Sequence, residues 1–225
     1  MDMAIIKKND FVEMEYTGMI KEGNTIFDTS DEKVAKDNGL YDKNEDYSPA
    51  VICVGENHIL KGLEDQMIGK ETGKEYTFDV SSENAFGRRN AKLIQLIPAS
   101  KFMQQKIQPV PGLQLNIDGV FGVVKTVSGG RCLVDFNHPL AGKDLVYHVK
   151  INKIVDDNNE KLKSLLKLHL HTKDAGIELA DDSAQIKLKT SIPPQSQEEF
   201  RKVVDRSIPS IKNVNFTIVE EKKNK

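Results

Sequence analysis

Two stretches of alternating apolar and polar residues lie far apart in this chain and constrain its fold more than any other feature. They are "FVEMEYT" at residues 11–17 and "LVYHVKINKIV" at residues 145–155. Such alternation is the period of a strand with one buried face. The apolar alternate positions are Val12, Met14 and Tyr16 in the first stretch and Leu145, Tyr147, Val149 and Ile151 in the second. The pattern predicts a sheet that the chain leaves after its first strands and rejoins much later.

The segments after the first strand complete a small sheet with one helix. "KEGN" predicts a turn and "TIFDTS" a second strand, whereas the polar residues 31–48 predict a surface loop or flap. "AVICVG" and "KEYTFDV" are typical of further short strands. Between them, "NHILKGLEDQMIG" predicts a helix that Asn57 caps and Gly69 ends.

The character of the sequence changes at Asn84 and again at residue 137. Residues 93–112 contain many apolar residues and three prolines. Short strands follow, with Gly-containing turns, and the clearest hairpin lies at Ser128-Gly129-Gly130. We interpret residues 88–136 as a small β domain inserted into a discontinuous domain of residues 1–87 and 137–155.

A charged break, "DDNNEK" at residues 156–161, favours a third domain over residues 156–225. Its patterns are those of a helix, a strand, a helix and a strand, which predicts a compact α+β unit. Ser196 and Glu199 fit a capping box at the start of the second helix, and Phe200 begins the apolar face of that helix.

Composition argues against several classes of partner. The net charge is −2 and the pI is about 6.2, so bulk electrostatic binding to nucleic acid or to an anionic membrane is not expected. No apolar run has the length that spans a bilayer, and the N-terminus has too short an apolar core for a secretory signal. Cys53 and Cys132 lack CxxC spacing, so we expect free thiols in the cytoplasm.

The sequence offers no set of residues for nucleophilic or metal chemistry, and we expect neither a metal nor a cofactor. His169 and His171 are the only close histidine pair, and on a strand they would face one side. Without other ligands nearby, ordinary surface histidines are favoured over a metal site. Aromatic residues on or beside predicted strands are the remaining candidates. They could simply form the core, which is the interpretation favoured for Tyr76 and Phe78. The alternative is a shallow pocket lined by the other four: Tyr16, Phe27, Phe86 and Tyr147.

Several of these segments together resemble the FKBP peptidyl-prolyl isomerases. The segments are "VEMEYTGMIKEGNTIFDTS", "VGENHILKGLEDQMIGKETGKEYTFDV", "NAFG" and "NHPLAGKDLVYHVKI". They cover residues 5–87 and 137–155, and the insertion resembles the flap domain of the SlyD-like subgroup. Longer archaeal members also carry a C-terminal domain. The resemblance implies an α+β fold, in which an antiparallel sheet wraps a short helix, with an inserted β domain and a C-terminal α+β domain.

The resemblance also implies which residues form the isomerase pocket. Tyr16, Phe27 and Asp28 match the pocket hairpin, and Leu63 stands at the floor, where the best-known members have Trp. Phe86 stands where many members have Tyr. The departures at Leu63 and Phe86 both put macrolide affinity in doubt more than catalysis. The His/Cys-rich tail of SlyD has no counterpart here, so nickel handling is not implied. The full set is Tyr16, Phe27, Asp28, Ile59, Leu60, Leu63, Phe86, Leu140 and Tyr147.

An aromatic pocket with one carboxylate suits rotation about an Xaa-Pro bond, which breaks no covalent bond. A dry apolar wall favours the twisted amide over the planar, charge-separated ground state. Tyr16, Phe27, Leu63 and Tyr147 are predicted to form that wall. For Asp28, accepting a hydrogen bond from a pocket tyrosine is favoured over direct action on the substrate, because a buried carboxylate needs a partner.

The insert is rich in apolar residues, some of which must form a small core. Those that stay exposed would hold unfolded, proline-containing polypeptides, which are the expected partners. The candidates are Leu93, Ile94, Leu96, Ile97, Phe102, Met103, Ile107 and Val110. The C-terminal domain is interpreted either as a dimerisation domain, through strand edges or the Phe200 face, or as another substrate-binding surface. The alternative for the whole chain is a non-catalytic docking module on the same fold.

Overall fold

The computed structural model describes residues 3–117, 119–172 and 175–219. The strands are β1 (Phe11–Ile20), β2 (Thr25–Thr29), β3 (Ala50–Cys53), β4 (Lys74–Val80), β5 (Ile94–Pro98), β6 (Gln114–Ile117), β7 (Val120–Ser128), β8 (Arg131–Asp135), β9 (Leu145–Ile154), β10 (Gly176–Ala180), β11 (Ser183–Leu188) and β12 (Asn213–Ile218). The α-helices are α1 (Glu32–Asp37), α2 (Lys61–Met67), α3 (Ala99–Gln104), α4 (Asn158–Leu170) and α5 (Pro194–Ser207). The chain divides into two compact units, Met1–Val80 with Leu145–Lys225, and Ser81–Asp144.

A five-stranded antiparallel sheet organises the first unit. Its order is β2-β1-β9-β4, and β3 pairs with the other end of β1. The two distant alternating stretches, β1 and β9, pair from Val12↔Ile154 to Ile20↔Leu145, as their shared period predicts. Helix α2 packs against β4 and buries Leu63 and Met67.

Two local predictions in this unit are wrong. Residues 31–48 are not entirely loop, because Asp31 accepts hydrogen bonds from the backbone of Lys33 and Val34 and so caps helix α1. Asn57 does not cap the next helix: it lies in the left-handed region at φ 56°, and α2 begins after Leu60. Gly69, at φ 83°, does follow the end of α2.

The second unit is a four-stranded antiparallel sheet of order β5-β8-β7-β6, flanked by α3. The predicted hairpin joins β7 to β8, and Gly129 and Gly130 have φ of 55° and 73°. Two consecutive residues with positive φ are what a two-residue hairpin turn requires. The core is small and consists of Phe102, Leu115, Val124, Cys132 and Val134.

The C-terminal residues of the first unit form helices α4 and α5 beside a three-stranded sheet. In that sheet β10 pairs antiparallel with β11, and β11 pairs parallel with β12. Strand β10 was not predicted. The predicted capping box is wrong, since α5 begins at Pro194, two residues before Ser196, and Pro193 is the N-cap.

The core beneath α4 and α5 continues into the N-terminal sheet. Leu162, Leu165 and Phe200 are buried in the same cluster as Phe11 of β1 and Cys53 of β3. The face of β1 that carries Phe11 is therefore covered by the C-terminal helices. The three-domain division remains a prediction. None of the helices in the described part of the chain has the length and apolar character needed to cross a membrane.

Candidate active site

Three aromatic rings from three neighbouring strands meet on one face of the first sheet. The centroids of Phe27 and Tyr147 are 5.9 Å apart with the rings edge to face, and those of Tyr16 and Tyr147 are 6.4 Å apart. Both distances are within the range of favourable aromatic pairs. Tyr147 is 5% exposed, whereas Tyr16 and Phe27 are half-buried, so they border an open space.

A β-bulge turns Phe27 and Asp28 toward that same space. Gly18 pairs with Asp28, but the next residue of β1, Met19, pairs with Ile26, so Phe27 is an extra residue in β2. In regular alternation Phe27 and Asp28 would point to opposite faces. The bulge removes that restriction, as bulges near functional sites commonly do.

Gly18 makes the close approach of two rings possible. It lies between β2 and β9, opposite Asp28 and Tyr147. A Cβ added there would be 2.8 Å from Phe27 Cζ and 2.8 Å from Tyr147 Cε1, distances that real Cβ contacts do not show. The site therefore requires a residue without a side chain at this position.

Asp28 is held by a pocket tyrosine, the arrangement favoured from the sequence. The Tyr16 hydroxyl donates to Asp28 Oδ2 at 3.0 Å. Desolvation beside the rings raises the pKa of Asp28, and this hydrogen bond acts in the opposite direction. Burial and the neighbouring carboxylate raise the pKa of Tyr16 well above its ordinary value, so the hydroxyl keeps its proton.

The backbone of Tyr16 is fixed on both sides by Ser30. Its N–H donates to Ser30 Oγ at 2.8 Å, and its carbonyl accepts from the Ser30 N–H at 2.9 Å. Ser30 is buried, so these bonds are shielded from water. They hold the end of the hairpin against β1 and keep the Tyr16 ring in place.

The predicted site residues fall into both units. Tyr16, Phe27, Asp28, Tyr147, Ile59, Leu60 and Leu63 belong to the first unit. Ile59 and Leu60 are half-buried just before α2, and Leu63 is 1% exposed in its first turn. Phe86 and Leu140 belong to the second unit, where the Phe86 ring stacks on His138 at 4.3 Å. The Leu140 N–H donates to Nδ1 of the same histidine at 3.2 Å.

The close histidine pair lies at the end of a helix rather than on a strand. His169 is in the last turn of α4, and His171 ends that helix in the left-handed conformation, so they do not share a strand face. His169 contacts His58 instead, with 3.1 Å between the two Nε2 atoms. Among the described residues, no group of three or more His, Cys, Asp or Glu side chains has the arrangement of a metal site.

The predicted apolar residues of the insert divide between core and surface. Phe102 is buried, and Ile97 and Ile107 pack against the small core. Ile94 is half-buried. Four are exposed, by 39% to 71% of their surface: Leu93, Leu96, Met103 and Val110. Val120 and Phe121, which were not predicted, are also exposed.

Sequence reasoning missed three contributors to these sites. Gly18 carried a signal, since a glycine inside an alternating strand often marks a bulge or a close approach. The contact of His58 with His169 joins residues 111 positions apart, and the stacking of His138 on Phe86 also depends on tertiary structure. Periodicity cannot reveal contacts of that kind.

Comparison with protein families gives two matches. The model for FKBP-type peptidyl-prolyl cis-trans isomerase matches residues 3–108. The model for the FKBP26 IF domain matches residues 95–140, within the second unit.

Several curated proteins are similar over most of their own length. The short-type peptidyl-prolyl cis-trans isomerase of Methanocaldococcus jannaschii is 33% identical over 156 residues, which is 69% of this chain and 98% of that protein. The FKBP-type 16 kDa isomerase of Escherichia coli is 28% identical over 66% of this chain and 93% of its own. SlyD of Vibrio cholerae is 29% identical over 58% of this chain and 66% of its own.

Proposed function

The chain belongs to the family of FKBP-type peptidyl-prolyl cis-trans isomerases, and from this premise we propose which residues carry the reaction and how the substrate is held. Members of this family act on proline-containing polypeptides. The observation that supports the assignment best is the convergence of Tyr16, Phe27 and Tyr147 around Gly18, with Asp28 at the edge. These residues are proposed as the wall against which the Xaa-Pro bond rotates.

The reaction requires desolvation and positioning rather than a nucleophile. Rotation must overcome amide resonance, a barrier of about 18–20 kcal/mol. As the amide twists, its carbonyl loses charge separation, so an apolar wall stabilises the transition state more than the planar ground state. Lowering the barrier by about 4 kcal/mol gives roughly a thousandfold acceleration.

In our proposal Asp28 does not contact the rotating bond but positions the Tyr16 ring within the wall. Its carboxylate accepts from the Tyr16 hydroxyl, which fixes the direction of that ring. Ile59, Leu60 and Leu63 are proposed to form the floor. Phe86 and Leu140, which belong to the second unit, stay predictions from the family resemblance. The smaller Leu63 and the hydroxyl-free Phe86 are the features that would favour a docking module without catalysis.

The insert is proposed to hold unfolded or partly folded chains while their prolines are sampled. Support comes from apolar side chains that stay outside its small core: Leu93, Leu96, Met103 and Val110. Met is adaptable in shape, which suits varied partners. A tethered substrate meets the pocket at a raised effective concentration.

Two further properties, the cellular compartment and the oligomeric state, belong to the proposal. The free, buried thiols of Cys53 and Cys132 suit the reducing cytoplasm. A homodimer is proposed through the edges of the C-terminal sheet, where Leu179 and Ile218 are exposed. The Phe200 face is not available, because Phe200 is 1% exposed within the core. Light scattering of the intact protein at the mass of a monomer would exclude this dimer.

The experiment that tests the pocket is exchange NMR on a short Xaa-Pro peptide with a trace of the protein. We expect fast cis–trans exchange that falls by about a hundredfold in Phe27→Ala and Tyr147→Ala. Tyr147→Phe, which keeps the ring, should lose far less. Absence of exchange with the intact protein, while it still suppresses aggregation of an unfolded chain, would favour the docking module.

A further inference from the structure

A cavity of about 630 Å³ opens beside the proposed catalytic residues and is closed on its far side by the C-terminal helix α4. Tyr16, Phe27 and Asp28 border it on the sheet side. The α4 side chains that line it are spaced by three and four positions and so form one helical face. They are Glu160, Lys163, Ser164, Lys167 and Leu168, and Leu166 also reaches the cavity from the adjoining buried face of the helix. The volume is in the range of ligand-binding pockets.

Helix α4 is held firmly enough to act as a wall. Its other face buries Leu162 and Leu165 in the core shared with β1 and β3. On the cavity side, Lys167 Nζ lies 2.8 Å from Asp46 Oδ2, which joins the helix to the segment between α1 and β3. The end of this segment and the first two residues of β3 together supply Glu45–Val51, which complete the cavity.

Carboxylates outnumber cations around this space. Its lining includes Lys163 and Lys167 as basic residues and five acidic ones: Glu13, Asp28, Glu45, Asp46 and Glu160. Three of the acids are in ion pairs, because Lys167 contacts Asp46 and Lys153 contacts both Glu13 and Glu160.

Asp28 and Glu45 are the two acids that remain for a ligand. Both carboxylates line the cavity. Burial is the main cause that raises the pKa of Asp28 and of Tyr16, and the charge of Glu45 adds to both shifts. In the described ranges of the chain, no basic side chain lies within ion-pair distance of Glu45. A cation brought by a substrate would therefore meet two carboxylates that have no ion-pair partner among the described residues, with Lys163 as the unpaired charge that opposes it.

We propose that this cavity, walled by α4, binds the residues that flank the substrate proline and favours Lys or Arg there over Asp or Glu. The proposal rests on the isomerase function proposed above and adds a sequence preference to it. Lys163 is the opposing charge on the helix wall, so the preference is set by the balance between Glu45 and Lys163.

The test uses the full chain and three sets of proline peptides that carry Lys, Ala or Glu at one position before or after the proline. Binding is measured by fluorescence anisotropy and turnover by exchange NMR. We expect Lys peptides to bind and turn over about three- to fivefold better than Glu peptides at low salt, the scale of one exposed ion pair. The ratio should shrink at high salt.

Three variants separate the local preference from net charge. Glu45→Gln should reduce the Lys-to-Glu ratio by half or more, and Lys163→Glu should raise it. Asp205→Asn on α5 changes the net charge as Glu45→Gln does but lies outside the cavity, so the ratio should stay as in the unmodified protein.

Each outcome separates this proposal from the isomerase assignment. Equal binding of Lys and Glu peptides by an active isomerase would overturn the subsite and leave the isomerase standing. A ratio that responds to Glu45→Gln but not to Lys163→Glu would remove α4 from the site. Charge-dependent binding without any exchange would support the subsite and overturn the catalytic proposal.

Discussion

The aromatic pocket and the insert both carry apolar side chains outside their cores, but they hold them in opposite ways. In the pocket, Phe27 and Tyr147 contact each other across a glycine, and a bulge fixes the direction of Phe27. In the insert, Leu96 and Met103 are 54% and 71% exposed. A wall that favours a twisted amide must be ordered before the substrate arrives. A surface that holds many different chains gains from side chains that can adapt.

The pocket also has a larger hydrophobic core behind it than the insert has. The sheet behind the pocket is continuous with a cluster that includes Phe11, Leu165 and Phe200. Among its described residues, the core of the insert has five buried members. Local opening requires less free energy where fewer apolar contacts are lost. We therefore expect a rigid catalytic region and an insert that opens more easily, and each prediction below tests one side of this contrast.

The largest effect is expected at Gly18. In Gly18→Ala, the added methyl group would overlap both rings, so one ring must move. Overpacking of this kind costs about 1–3 kcal/mol of stability. A displacement of about 1 Å in a catalytic wall costs on the order of a hundredfold in rate. Peptide exchange NMR should therefore show a loss near a hundredfold in a protein that still folds.

Gly176→Ala is the matched control for that variant. Gly176 is also within a strand, β10, but the nearest atom that its Cβ would meet is Lys187 Cβ at 3.3 Å, and no aromatic ring lies in its way. We expect unchanged exchange. Equal loss in both variants would mean that any strand glycine is sensitive, and the account of Gly18 as a pocket residue would be wrong.

Gly18 also shows where sequence reasoning reached its limit. Strands β1 and β9 were predicted because alternation is local and one face of each is buried. The bulge in β2 was not predicted, since it depends on a register between strands rather than on residue pattern. Helix α1 was missed because its six residues are too few for a period, although Asp31 carried a capping signal.

A second prediction addresses the insert. Replacing Leu96 and Met103 together by Ser should reduce isomerisation of an unfolded protein by about tenfold, because tethering raises effective concentration. Turnover of a short peptide should change little, since neither residue belongs to the pocket. Refolding of a proline-limited protein, compared with peptide exchange, provides the measurement.

The matched control replaces Met3 and Ile5, which are 65% and 55% exposed in the first unit. Serine at these positions removes a similar apolar area and should leave both activities unchanged. If the control slows refolding as much as the insert variant does, apolar exposure in general holds substrates, and the contrast between the two regions fails. If the insert variant loses as much isomerase activity on the short peptide as on the unfolded protein, the tethering proposal is wrong.

The smallest predicted effect is a pH dependence of stability at the contact between His58 and His169 of α4. The Cys53 N–H donates to His58 Nδ1 at 3.1 Å, so Nε2 of that neutral ring carries the proton that faces His169. A proton on Nδ1 of His58 would break this hydrogen bond, because Nδ1 could no longer accept from the Cys53 N–H. Burial, and next the proximity of His169, lower the pKa of His58 to about 4, although Glu56 opposes the shift. Burial and the charge of Arg206 lower the pKa of His169 as well, and Glu56 opposes this shift too.

The direction of this pH dependence follows from the number of protons that the folded and the unfolded chain bind. An unfolded histidine has a pKa near 6.5, so between about pH 6.5 and pH 4 the unfolded chain binds a proton that folded His58 does not. The free energy of unfolding should therefore fall as the pH drops through that window and stay level above it. We expect a decrease of a few degrees in Tm from this group, and a shallower slope in His58→Gln.

Hydrogen exchange would locate the effect and complete the comparison. On acidification, amides of the β3–α2 segment and of α4 should lose protection in the intact protein and keep it in His58→Gln. Amides of the β7–β8 hairpin should respond equally in both, because the histidine pair lies wholly in the other unit. If the pH response of α4 is the same in both proteins, another group governs it. The order of the pocket would then not depend on this contact.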